Sequence, residues 1–276
     1  MNIYHVTAFP YNQIGGNKAG VVYPADALSD NQKQEIAKKL NYSETAFVSS
    51  STLASFKVQF FTPVSEVNLC GHATIATFNT LRDLSIIGCG LFTQETKAGI
   101  LQLDVRDREV FMEQNLPIYG ETLKASNVTD CFNDNDFTHK DLSIQILSTG
   151  MREIFIPVKD VATLNRLIPS LSTIIEISKE YDVIGMHLFA FDHDKVYGRN
   201  FAPYVGIDEE SATGTSNGAL SCYLHKYVNP NKLEYTLYQG FSMNQPSVIQ
   251  STLEVDEKND IKCVWVGGTA QILKTE

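Results

Sequence analysis

The chain has 276 residues and a formal net charge of −10, with 43% hydrophobic and 20% charged residues. A surface this acidic repels nucleic-acid phosphates and anionic lipid, so neither is an expected partner. The composition is that of an ordered globular protein, long enough for one large domain or two smaller ones.

In chain order, Met1 to Pro10 carry no basic leader and no apolar run ending in a small-residue cleavage site, so a cytoplasmic protein is expected. Residues 29–40 read as a helix, with Ser29 and Gln32 in capping-box spacing and Ile36, Ala37 and Leu40 as its apolar stripe. Residues 44–48 read as a strand, Phe61-Thr62-Pro63 follows, and residues 71–78 form a small-residue helix led by Gly71. The longest weakly charged apolar stretch, residues 84–92, is broken by Gly88 and Gly90 and falls far short of the roughly 20 residues of a membrane span. Successive alternating strands are expected over residues 94–112. The polar segment 127–141 reads as a loop, with no function assigned to it.

The second half repeats this plan. A helix is expected over residues 171–181 and a strand over 186–190. Phe201-Ala202-Pro203, a glycine-led helix at 214–221 and alternating strands within 239–265 follow. Glu44 and Gly71 are 27 positions apart, and Met186 and Gly214 are 28 apart, which pairs Met186 with Glu44. The repeat implies a duplicated α+β unit, with small residues (Ala73, Ala76, Gly218, Ala219) letting a sheet wrap closely around each helix. Two similar lobes would face each other across a cleft. The N-termini of both glycine-led helices would converge there, where unpaired N–H groups and helix dipoles hold a small carboxylate without lysine or arginine.

Five scattered cysteines fit reduced thiols better than a disulfide framework. No C-x-x-C or H-E-x-x-H pattern occurs and the histidines stand apart, so no metal is expected. The absence of a Gly-Lys-Ser/Thr phosphate loop, and of the third glycine of a dinucleotide fingerprint at residues 88–93, leaves little support for nucleotide use.

From spacing alone, Glu44 reads as a strand-end surface carboxylate, His72 as a capping or packing histidine, and Glu210 as an acid favoured by a helix dipole. Thr215 has the plain reading of a first-turn helix residue, and Gly16 and Asn17 lie in a turn-forming segment. Asymmetry between the copies singles out the first three for proton handling. Copy one offers Glu44 and Cys70-Gly71-His72; copy two offers Met186 and Glu210 ahead of Gly214.

Taken in order, Gly15-Gly16-Asn17-Lys18-Ala19-Gly20, Ser43-Glu44-Thr45, Cys70-Gly71-His72-Ala73-Thr74, Ala212-Thr213-Gly214-Thr215-Ser216-Asn217 and Val266-Gly267-Gly268 resemble the phenazine biosynthesis PhzF-like family. The match spans nearly the whole chain. The resemblance implies the diaminopimelate-epimerase-like α+β fold, two pseudo-symmetric lobes of curled, mostly antiparallel sheet around a central helix. On this reading residues 1–116, rejoined by a last strand at about 267–276, form the N-terminal lobe, and residues 117–266 form the C-terminal lobe.

The resemblance further implies a cofactor-independent isomerase that moves a proton within a small unsaturated or cyclic hydroxy or amino carboxylic acid. Glu44 would be its general acid/base, with His72, Glu210 and Thr215 as further catalytic residues. Gly16, Asn17, Cys70, Gly71, Ala73, Gly214 and Ser216 would bind substrate, and a homodimer is expected. Glu210 stands where the family usually has aspartate, Ser211 and Lys18 where it has proline, and Thr215 where the best-studied kind of member has serine. These departures argue against the phenazine precursor itself as substrate.

Two alternatives stay open. One is a thiol-assisted dehydratase or epimerase using Cys70, although Thr213 at the partner position lacks the second thiol of the two-base racemases. The other is a non-catalytic protein that binds small acids.

Overall fold

Short apolar or alternating strands are the commonest elements of the chain, and in the computed structural model, which describes all residues Met1–Glu276, the chain folds into two units. The first comprises Met1–Glu113 with Gly267–Glu276, and the second Gln114–Val266. No helix is long and apolar enough to cross a membrane.

The first unit runs β1 (Asn2–Ala8), β2 (Asn17–Tyr23), α1 (Asp30–Leu40), β3 (Glu44–Ser49), β4 (Phe56–Phe61), β5 (Glu66–Val67), α2 (Gly71–Asp83), β6 (Gly90–Thr96), β7 (Gly99–Val105) and β8 (Val110–Gln114). Strand β1 pairs antiparallel with β2, β2 parallel with β3, β3 antiparallel with β4, and β4 parallel with β6. Antiparallel β6–β7 and β7–β8 pairs complete the sheet, and β5 adds to β4. A parallel pair needs a crossover, and α1 and α2 supply the two required. Ser29 caps α1 as its spacing predicts: Ser29 N–H donates to Gln32 Oε1 at 2.9 Å and Gln32 N–H to Ser29 Oγ at 3.4 Å.

The second unit runs β9 (Ile118–Leu123), β10 (Ile144–Ser148), β11 (Arg152–Pro157), α3 (Val161–Arg166), α4 (Leu171–Glu180), β12 (Gly185–Asp192), β13 (Lys195–Ala202), β14 (Ile207–Glu210), α5 (Gly214–Tyr227), β15 (Glu234–Gln239), β16 (Ser247–Val255) and β17 (Ile261–Gly268). Its pairings repeat those of the first unit: β10–β11 antiparallel, β11–β12 parallel, β12–β13 antiparallel, β13–β15 parallel, β15–β16 antiparallel, with β14 added to β13. The flanking antiparallel partner of β10 is β9. The last strand of the chain, β18 (Ala270–Thr275), pairs antiparallel with β1 in the first unit. The expected α+β duplication is therefore present at the level of strand order and direction.

Register corrects one detail of the repeat. With Phe61 and Phe201 equivalent, Thr45 lies opposite Phe61 and Met186 opposite Phe201, so Met186 matches Thr45 and Gly185 matches Glu44. The parallel pairs agree: Glu44 faces Ala19 across β2–β3, and Gly185 faces Glu153 across β11–β12. A side chain at Gly185 has no room. A Cβ there would run into the Phe201 carbonyl oxygen and lie 2.8 Å from Ala202 Cα. Backbone proximity thus excludes an acid from the position that Glu44 holds in the first unit.

Helix α2 is buried from His72 to Leu81 and packs on β1, β2, β3, β7 and β18, so the sheet curls around it. Its polar residues do not compromise that burial. Thr74, Thr77 and Thr80 each return their hydroxyl to the carbonyl four residues earlier at 2.7–2.8 Å, and Asn79 donates to Ile75 O at 2.8 Å. Helix α5 is buried from Ser216 to His225 and packs on β10 and β16. A Cβ on Gly218 would lie 2.6 Å from Val266 Cγ2, which explains the small residue there.

The 127–141 segment is irregular as expected, with one short 3₁₀ turn at Thr129–Cys131 and isolated bridges through Phe132 and Thr138. Its polar composition hides a structural role. Val128, Cys131, Phe132 and Phe137 are buried in the second unit's core beside Ile156, Leu188 and Phe201.

Candidate functional site

In the first unit, the starts of two parallel strands and of one helix bring the predicted residues together. Glu44 opens β3, Asn17 opens β2, and Cys70 is the N-cap of α2. His72, the second residue of α2, is almost fully buried, while the Glu44 side chain keeps 16% of its surface exposed. Its imidazole Nε2 lies 3.4 Å from Glu44 Oε2. On the other edge of the ring, Nδ1 lies 3.2 Å from Asn17 Nδ2 and 3.4 Å from Cys70 Sγ. Ser43 Oγ, which sequence reasoning did not single out, sits 3.5 Å from His72 Nε2.

Burial holds the His72 pKa below the usual histidine range, and the Glu44 carboxylate and a hydrogen bond with the Lys18 backbone oppose that shift only in part. A neutral imidazole offers one donor and one acceptor, so His72 can pass a hydrogen bond toward or away from the carboxylate. Gly16 sets the entry to β2. Its φ of +80° suits glycine, and a Cβ would lie 2.5 Å from Ala8 O.

The glycines opening the two central helices have a different basis. A Cβ on Gly71 would meet only Met112 Cε at 3.7 Å, and one on Gly214 only Val266 Cγ1 at 3.6 Å, so packing does not demand glycine at either position. Neither N-cap residue, Cys70 or Thr213, caps its helix through its side chain. The first-turn N–H groups, which have no acceptor within the helix, lie at the positive end of its dipole. Ala73 is fully buried, and its contribution is packing.

In the second unit, Glu210 ends β14 and accepts a hydrogen bond from Thr213 Oγ1 at 2.5 Å. Gln239, missed in the sequence, ties this corner together by donating to Glu210 O at 2.7 Å and accepting from Asn217 Nδ2 at 2.7 Å. Thr215 is half-buried, and its carbonyl accepts from Thr149 Oγ1 at 3.2 Å. Ser216 points into the interior, where Asn200 Nδ2 donates to its hydroxyl at 3.1 Å. Any contact it makes with a ligand would come from its backbone.

A second carboxylate escaped sequence reasoning. Glu153 of β11 is buried and accepts from Asn200 Nδ2 at 2.8 Å. Burial raises its pKa, against the pull of hydrogen bonds from Ser216 and Asn200. Its neighbour His187 is pushed down to about 3 by burial alone, and its Nε2 is buried without a hydrogen-bond partner. The sequence offers only an acid at the head of the apolar run Ile154-Phe155-Ile156, and the glycine opposite it, Gly185, is visible only in the strand register.

The family model for phenazine biosynthesis-like proteins matches residues 6–275. An uncharacterized isomerase of Clostridium acetobutylicum is 32% identical, with 100% of this chain and 97% of that protein covered. The uncharacterized isomerase YddE of Escherichia coli is 33% identical, with 98% and 96% covered. The crystal structure of a PhzF-family phenazine biosynthesis protein from Bacillus anthracis superposes with a TM-score of 0.90 at 29% identity, covering 100% of this chain and 98% of that one. A hydroxyproline epimerase from Agrobacterium vitis shares the fold, with a TM-score of 0.62 at 13% identity and coverages of 100% and 90%. The chain belongs to the phenazine biosynthesis-like (PhzF) family of isomerases.

Proposed function

We propose that this isomerase moves a proton between two carbons of a small unsaturated or cyclic hydroxy or amino carboxylic acid, with Glu44 as the general acid/base and no cofactor. The observation that carries the reading is the Glu44–His72 pair, a carboxylate with 16% of its side chain exposed, 3.4 Å from a buried imidazole at the start of α2. Glu44 accepts a proton as a C–H bond breaks, and the electron pair delocalises into the neighbouring unsaturated bond. The protonated carboxyl then delivers the proton to the second carbon, restoring the carboxylate for the next turnover. His72 donates a hydrogen bond while charge is spread over the substrate, and first-turn N–H groups hold the substrate's carboxylate. In the same proposal Glu210 supplies a second carboxylate and Thr215 a hydroxyl.

A second reading rests on Cys70, whose Sγ lies 3.4 Å from His72 Nδ1 and so has a base within reach. Solvent exchange separates the two. Incubated in D2O with a panel of small cyclic and unsaturated acids, the protein is expected to place carbon-bound deuterium in at least one of them, detected by mass spectrometry. Cys70→Ser is expected to retain that exchange within about tenfold, as it removes no general acid/base under the proposal. Abolished exchange in Cys70→Ser, with binding intact, favours the thiol reading. A protein that binds an acid and never exchanges it is a binder.

A further inference from the structure

No motif in the sequence marks a metal site, yet the fold gathers three different metal-ligand types at one point. A Glu44 oxygen, Cys70 Sγ and a His72 ring nitrogen all lie within 4.8 Å of one another. We propose that these three residues form a binding site for Zn²⁺, one that takes the same carboxylate and imidazole needed for proton transfer and so inhibits the enzyme when filled.

Donor type and spacing carry the argument. Thiolate, imidazole and carboxylate together suit zinc, whereas an all-oxygen set would suit magnesium or calcium. Bonds of about 2.3 Å to sulfur and about 2.0 Å to nitrogen and oxygen put tetrahedral donors roughly 3.3–3.6 Å apart. Here His72 Nε2 lies 3.4 Å from Glu44 Oε2 and 3.9 Å from Cys70 Sγ, which is nearer to Nδ1 at 3.4 Å, so turning the Cys70 side chain toward Nε2 completes the set.

The backbone fixes two of the three. Cys70, extended at φ −140°, and His72, in the first turn of α2, are two residues apart across a helix start. Glu44 comes from the start of β3 and is the most exposed member, which gives an ion a way in. A hydrogen bond between the His72 ring and the Lys18 backbone supplies an outer partner of the kind that orients a ligating imidazole. Three protein donors leave a fourth position for water. Binding displaces the thiol proton of Cys70 to solvent as the Zn–S bond forms.

The test needs no substrate, so it stands apart from the proposed isomerisation. Purified full-length protein is titrated with Zn²⁺ in competition with a chromophoric chelator, and separately with Co²⁺ while the thiolate-to-cobalt charge-transfer band is followed. One equivalent is expected to bind, and the band is expected to persist in Cys89→Ser, which removes the exposed thiol. Cys70→Ser is expected to lose the band. Glu44→Gln, which keeps every thiol, is expected to weaken zinc by at least about tenfold. A parent protein that takes up no zinc, a band that survives Cys70→Ser, or unchanged affinity in Glu44→Gln overturns the proposal.

Discussion

At Cys70, His72 and Glu44, side chains drawn from two sequence segments acquire chemistry that none has alone. The other thiols show the contrast. Burial pushes the Cys131 and Cys222 thiols up to about 12, so both stay protonated near neutral pH, whereas Cys89 is exposed. Under native conditions at pH 8, iodoacetamide is expected to label Cys89 at least about 100-fold faster than Cys131 or Cys222, the protonated thiol being unreactive. Peptide mapping checks this, and comparable labelling of the buried pair would contradict it. Residue types at the site were legible in the sequence because motifs keep their local order, as in Cys70-Gly71-His72. Ser43, Gln239 and Glu153 were not, because their partners come from other elements: His72, Asn217 and Asn200 lie 29, 22 and 47 residues away.

Among elements, the duplicated strand order shows how one plan yields two unlike units. Helix and strand periodicity exposed the repeat, and the Ser29 capping box fixed the start of α1 as its spacing predicts. Counting from the glycine-led helices nevertheless paired Glu44 with Met186, one residue off. The linear count does not register the longer connection between β12 and α5, whereas strand register does. The corrected counterpart, Gly185, has backbone atoms where a side chain would go. Gly185→Ala is therefore expected to destabilise the protein by about 3 kcal/mol or more, because the Phe201–Ala202 backbone must move. A urea midpoint within error of the parent would show that β12 and β13 are not packed as described. Segment 127–141 teaches the opposite lesson. Its average polarity concealed Phe132 and Phe137, which are core residues of the second unit, since composition over a window does not report individual burial.

Over the whole molecule, two buried titrating groups shape stability in opposite directions. His187 has its folded pKa lowered to about 3, so the unfolded chain takes up a proton near pH 6.5 that the folded one refuses. Its effect is absent above about pH 6.5 and costs up to about 1.4 kcal/mol per pH unit as pH falls toward 3. Glu153 has a raised folded pKa, so its contribution is fully present below about pH 4.5 and is lost as pH rises through the folded value. Urea denaturation between pH 4.5 and 7.5 is expected to show a shallower acid slope in His187→Asn than in the parent. Parallel curves would mean that His187 is protonated in the folded protein.

The proposed isomerisation rests on one carboxylate handling a carbon-bound proton. Its most direct test is deuterium incorporation from D2O by Glu44→Gln, which keeps the shape of the side chain but loses the proton-accepting oxygen. The variant is expected to bind the exchanging acid about as well as the parent and to incorporate deuterium at least about 1,000-fold more slowly. Exchange at the parental rate in a folded, ligand-binding Glu44→Gln protein would contradict the account.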